Sequence, residues 1–139
     1  MKQKPSESFR ENLVGPCRDF LNNPGDVGRA RTAAQAINGH VEWVFDYYRS
    51  MGEQHRLKGA KSADEFRAQH FTCCPDLKLV WHAADAAKHR VLRNPRHTFY
   101  AAATAQFMTG EGPVLWADDE RPFTSIIENG LNYWSSWED

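Results

Sequence analysis

Between Asp26 and Gly52 the chain carries an apolar pattern that only one element can satisfy. Ala30, Ala33, Ala34, Ile37, Val41, Val44, Phe45 and Tyr48 recur at steps of three and four, while Arg29, Arg31 and Gln35 fall outside the stripe. A period near 3.6 with no proline inside it predicts one long amphipathic helix from about Val27 to Ser50. Asn22-Asn23-Pro24-Gly25 is a stop and turn before it, Asp26 is placed to cap its first turn, and Met51-Gly52 ends it. Such a helix cannot bury its stripe alone, so the rest of the chain must supply helices that cover it. Its alanine half permits a neighbour to approach closely.

The flanking segments read as those partners. Ser6 or Ser8 is expected to cap a first helix through Phe9, Leu13, Cys17 and Phe20, with a bend at Pro16. Glu53 to Ser62 is polar and reads as an exposed connection, and Ser62 with Glu65 fits a capping box for a short helix ending near Cys73. Pro75-Asp76 restarts the chain into a helix that Val91, Leu92 and Asn94-Pro95 close. Beyond it the pattern changes. Thr98 to Met108 has β-branched and aromatic ends, Gly110-Glu111-Gly112-Pro113 is a turn, Val114 to Ala117 a second strand, and Arg121-Pro122-Phe123 a short extended return. Thr124 or Ser125 then caps a last helix through Ile126, Ile127, Leu131, Tyr133 and Trp134. The expected fold is mainly α (α+β): a four- to five-helix bundle with a small antiparallel β-hairpin or meander near the C-terminal third, in a single domain over 1–139.

Composition narrows the function classes. The 139 residues include five Trp and eight Phe, enough bulk for a core of one domain. Net charge is −1, from 17 Lys plus Arg against 18 Asp plus Glu, so no global field draws the chain to nucleic acid or an anionic membrane. The polar N-terminus lacks a signal peptide's apolar run and no membrane-spanning stretch is present, so a soluble, cytoplasmic protein is expected. Cys17, Cys73 and Cys74 form an odd set of reduced thiols. The adjacent pair has no Lys or His at its sides in sequence and reads as a buried helix start.

Two constellations carry candidate chemistry. On the Pro75 to Leu92 helix, His82, Asp85 and His89 are three and four residues apart, so they share one face that borders the core positions Leu77, Val80, Trp81 and Ala84. Imidazole and carboxylate bind metals, move protons or form a polar network. If the long helix packs antiparallel to this one, His40 completes a metal set of His40, His82, Asp85 and His89, the centre of a metal-dependent hydrolase. HExxH and paired CxxC are absent. The second constellation is a basic corner of Lys88, His89, Arg90, Arg93, Arg96 and His97, which becomes an RNA-facing patch if joined in space by Arg56, Lys58 and Lys61. Among the aromatics, Tyr47 and Trp137 lie on the less apolar sides of their helices and are the expected anchors for a protein partner or a homodimer.

Ala84-Asp85-Ala86-Ala87-Lys88-His89, an acidic turn at Asp118-Asp119 and a closing helix with Tyr133-Trp134 resemble small bacterial and phage proteins of uncharacterised function that carry a D-x-x-K-H helix. That resemblance implies an architecture and an accessory role in a phage or mobile-element setting. Arg90 and His97, with six residues between them, give a more distant similarity to HEPN-type helical domains, many of which cleave RNA. In such a ribonuclease the resemblance implies that Arg90 binds the phosphate and stabilises the transition state while His97 acts as the acid–base, without metal, although Pro95 interrupts their interval. The reading from the residues themselves is a small interaction or accessory protein, with the ribonuclease and the metal-dependent hydrolase as alternatives.

Overall fold

A computed structural model describes residues 3–89, 107–108, 114–115 and 121–137. Its axis is the long helix foreseen in the sequence, and the order of elements is α1 (Pro5–Ser8), a π-helical turn (Phe9–Leu13), α2 (Val14–Leu21), α3 (Val27–Ser50), a 3-10 turn (Gln54–Leu57), α4 (Ala63–His70), α5 (Asp76–His89) and α6 (Phe123–Ser135). Helices α2, α4, α5 and α6 all pack on α3. Its ends are set locally. The Asp26 carboxylate accepts from the Arg29 N–H at 3.0 Å. At the other end Gly52 takes φ of 73°, and the N–H groups of Glu53 and Gly52 bond back to the carbonyls of Tyr48 and Arg49, which closes a Schellman motif.

Two expected caps are replaced by packing. The first helix starts at Pro5, whose missing N–H costs nothing in the first turn, and Ser8 turns inward instead of capping. The π-helical turn ends three residues before Pro16, which lies in the first turn of α2. Proline removes the N–H that would bond the Asn12 carbonyl and its ring crowds that carbonyl, so a wider turn here relieves the clash. The last helix starts at Phe123 without a side-chain cap. It is pinned by Phe123, 1% exposed, set edge-to-face on Phe20 with ring centroids 5.9 Å apart.

The core follows the α3 stripe. Ile37, Val41, Val44 and Tyr48 are buried along it, Phe45 meets Phe66 of α4, and Trp134 of α6 is 1% exposed. Gly130 brings α6 close: a Cβ there would stand 3.2 Å from Ile37 Cδ1 and 3.5 Å from Leu77 Cδ2. The connection read as exposed is anchored, because Leu57 and Ala60 are both buried.

The α+β class is corrected to a helical one. In place of a meander, the ladder among the described residues is Phe107–Met108 against Val114–Leu115, two residues a side, with a single bridge residue at Pro122, which is too short for a sheet layer. Arg121-Pro122-Phe123 is no strand either. Pro122 is extended, at φ −59° and ψ 136°, but it serves as the entry to α6. The remainder of Thr98 to Met108 and of Val114 to Ala117, with the turns around them, lies outside the described residues. Among the described residues no helix is long and apolar enough to cross a membrane.

Candidate functional site

Helix α5 buries Leu77, Val80, Ala83 and Ala84, which leaves Trp81, His82 and Asp85 half-buried at the edge of the core. The Trp81 and His82 rings lie 5.3 Å apart. The side chain of His89, and Arg90 and His97 entirely, fall outside the described residues, as does most of the basic corner. Arg56 lies over the Tyr48 ring at 5.0 Å and donates to the Tyr48 hydroxyl at 3.3 Å; whether it joins that corner falls outside the described residues. His40 is 4% exposed. Its Nδ1 stands 3.4 Å from Ser8 Oγ, and its ring lies between Phe9 and Trp134 at 6.2 and 5.2 Å. Burial pulls its pKa down to about 4, so the imidazole is neutral at neutral pH. Among the described residues no three His, Cys, Asp or Glu side chains converge as a metal would require.

A different cluster forms where the turn after α4 meets the end of α6. His70 is 6% exposed and packed by Phe66, Trp134, Trp137 and Tyr133, with ring centroids 4.6, 5.0, 5.0 and 5.7 Å away. Its Nδ1 is 2.6 Å from the Tyr133 hydroxyl, and its buried Nε2 has no hydrogen-bond partner among the described residues. Burial, and then the positive charge of Lys58, pull its pKa down to about 4. Burial pushes the Tyr133 pKa up to about 12, helped by the nearby negative charge of Cys73 and Cys74. At neutral pH this phenol therefore keeps its proton.

The cysteine pair departs from its expected buried role. Cys73 is exposed and Cys74 half-buried, with Cys74 Sγ 4.0 Å from the Asn129 carbonyl. Burial is the main cause that raises the Cys74 pKa. His70 stands only three residues before Cys73, a spacing visible in the sequence, whereas Tyr133 lies 63 positions from His70 and arrives only when α6 docks.

Two ionic clusters tie the same helices together. Asp76, at the start of α5, accepts from both terminal nitrogens of Arg121, at 2.9 and 2.7 Å, and from Asn129 at 2.7 Å. Buried Arg67 of α4 reaches Glu42 at 3.0 Å and also binds Asp64. Trp137 is not a free anchor, since its indole N–H donates to the Tyr48 hydroxyl at 2.9 Å. The large apolar side chains left exposed among the described residues are Trp43 and Met51. The chain matches no protein-family profile, no curated protein and no solved structure.

Proposed function

We propose that this chain is a small interaction or accessory protein that pairs with a second copy of itself through α3. The observation that supports this reading is a row of Trp43, Tyr47 and Met51, four residues apart on the outer side of the long helix. Trp43 is 37% and Met51 58% exposed, and Tyr47 is half-buried. The Trp43 indole donates to the Gln3 carbonyl at 3.0 Å, which holds its ring in one orientation before any partner binds. Asp46 and Arg49 form an exposed ion pair at 3.4 Å farther round the helix, outside the row.

The test is light scattering after size exclusion over a range of protein concentrations. The expected result is a dimer that becomes a monomer in the double variant Trp43→Gln/Met51→Asp with helical circular dichroism unchanged. A monomer at every concentration overturns the pairing. RNA cleavage lost in Arg90→Ala or His97→Ala favours the HEPN-like ribonuclease instead. Near-stoichiometric bound metal, lost in His82→Ala/His89→Ala, favours the metal-dependent hydrolase of His40, His82, Asp85 and His89.

A further inference from the structure

His70 is sealed by the end of α6 more than by its own helix. Of the four rings around it, Phe66 belongs to α4, while Tyr133 and Trp134 come from the last turn of α6 and Trp137 from just beyond it. The imidazole is 6% exposed and bonded through Nδ1 to the Tyr133 hydroxyl at 2.6 Å. A neutral ring fits this setting. An imidazolium carries a second N–H, and the buried Nε2 has no acceptor among the described residues. The charged and titratable groups on the surrounding elements do not compensate a positive charge. They are Arg67 on α4, committed to Glu42 and Asp64; the Cys73 and Cys74 thiols in the turn that follows; Lys58, whose charge opposes a second one here; Tyr48 of α3, with Arg56 over its ring; and Tyr133 itself. Among the described residues no carboxylate pairs with His70.

The start of α6 is held by contacts that mild acid leaves intact. Asp76 binds Arg121 and Asn129, its carboxyl lies below the usual range, and Phe123 is seated on Phe20. We propose that His70 is an acid-sensitive latch for the C-terminal end of α6: on taking a proton it releases residues 131–137 from α4, while the Asp76 clip keeps the start of the helix docked. Lifting that end is the smallest movement that brings water to the imidazole, because three of the four rings leave with it. Docked, the ring has a pKa of about 4; lifted and hydrated, it returns to its ordinary 6.5. The lifted state therefore binds the proton first, so docking is complete above about pH 6.5 and weakens as pH falls toward about 4.

Hydrogen exchange of the full chain at pH 7 and pH 5, read by mass spectrometry and corrected for the intrinsic pH dependence of amide exchange, tests this. Residues 131–137 are expected to lose protection roughly twentyfold at pH 5, the factor for one group moving between about 4 and 6.5. At pH 5 they should also exchange faster than residues 123–127, and about 1 M urea should change their rate less than about twofold, since lifting one helix end exposes little surface. His70→Leu, which cannot titrate, should remove the loss. Equal protection in both segments with a strong urea response means that acid unfolds the whole bundle, and overturns the proposal. So does unchanged protection of residues 131–137, or a loss that persists in His70→Leu, which assigns it to another group such as His40 against Trp134. Should His70→Leu not fold, His70→Gln serves the same comparison.

Discussion

Arg121 grips Asp76 with both terminal nitrogens of its guanidinium, at 2.9 and 2.7 Å, and so ties the entry of α6 to the first turn of α5. The Asp76 side chain is 11% exposed and that of Arg121 41%, so the carboxylate is the desolvated partner. Burial alone would raise its pKa, but the hydrogen bonds from Arg121 and Asn129 and the guanidinium charge outweigh that and hold it below the usual carboxylate value. Arg121→Ala should destabilise the fold by about 2 kcal/mol, less than for a fully buried pair because water reaches the arginine. Urea unfolding measures it. A carboxyl depressed in the folded state stabilises above its unfolded value near 4, and this contribution should fade as pH falls through the lower folded value.

His40 and His70 should make the protein acid-sensitive from a higher pH. Both have folded values of about 4, set chiefly by burial, against an ordinary value of 6.5. Below about pH 6.5 the unfolded chain binds protons that the folded chain refuses, so stability is complete above that pH and falls as pH drops toward about 4. Each histidine contributes a slope of at most about 1.4 kcal/mol per pH unit. Urea midpoints at pH 7 and pH 5 should therefore differ clearly, and His40→Leu should reduce the difference.

Arg67 separates charge from packing. Its side chain is 4% exposed, yet its partners Glu42 and Asp64 are 56% and 81% exposed and stay hydrated when it is removed. Arg67→Met, which keeps the apolar stem, should lie within about 1 kcal/mol of the natural chain, whereas Arg67→Ala should cost about 2 to 3 kcal/mol through the space it empties. Thermal or urea unfolding of the pair distinguishes them. Equal losses would show that the ion pairs, not the stem, carry the effect.

Gly130 sets how closely α6 approaches α3. Gly130→Ala gains helix propensity and presses on the movable Ile37 Cδ1, so it should stay within about 1 kcal/mol of the natural chain. Gly130→Val adds bulk that Ile37 and Leu77 cannot both accommodate, and should cost about 2 kcal/mol. Chemical denaturation gives both values.

What the sequence disclosed depended on the range of the interaction that decided each feature. Helix α3 was legible to the residue because the Asp26 cap and the Gly52 turn are made within a few positions of the helix they bound. Its stripe also placed Ile37, Val41, Val44 and Tyr48 in the core. The extended return expected at Arg121-Pro122-Phe123 was misread because a fixed proline φ suits an extended strand and a helix entry equally, and the packing of Phe123 on Phe20 chose the latter at Pro122. Of the expected site residues, His40 proved to be a core group of α3, and His82 and Asp85 do sit at the half-buried border that their spacing implied. The His70–Tyr133 bond was hidden, since the phenol comes from a helix remote in the chain. Trp43 lay visibly outside the α3 stripe, but only the packed structure shows that no described neighbour covers it fully.

The bond between the Trp137 indole and the Tyr48 hydroxyl joins residues 89 positions apart, and Trp134 beside it lies against His40 of the same long helix. During synthesis α3 is complete long before these indoles exist, so its apolar stripe must wait, partly uncovered, for the last helix to be made. Until α6 has emerged and docked, that stripe is the surface a protease or chaperone would find on the nascent chain.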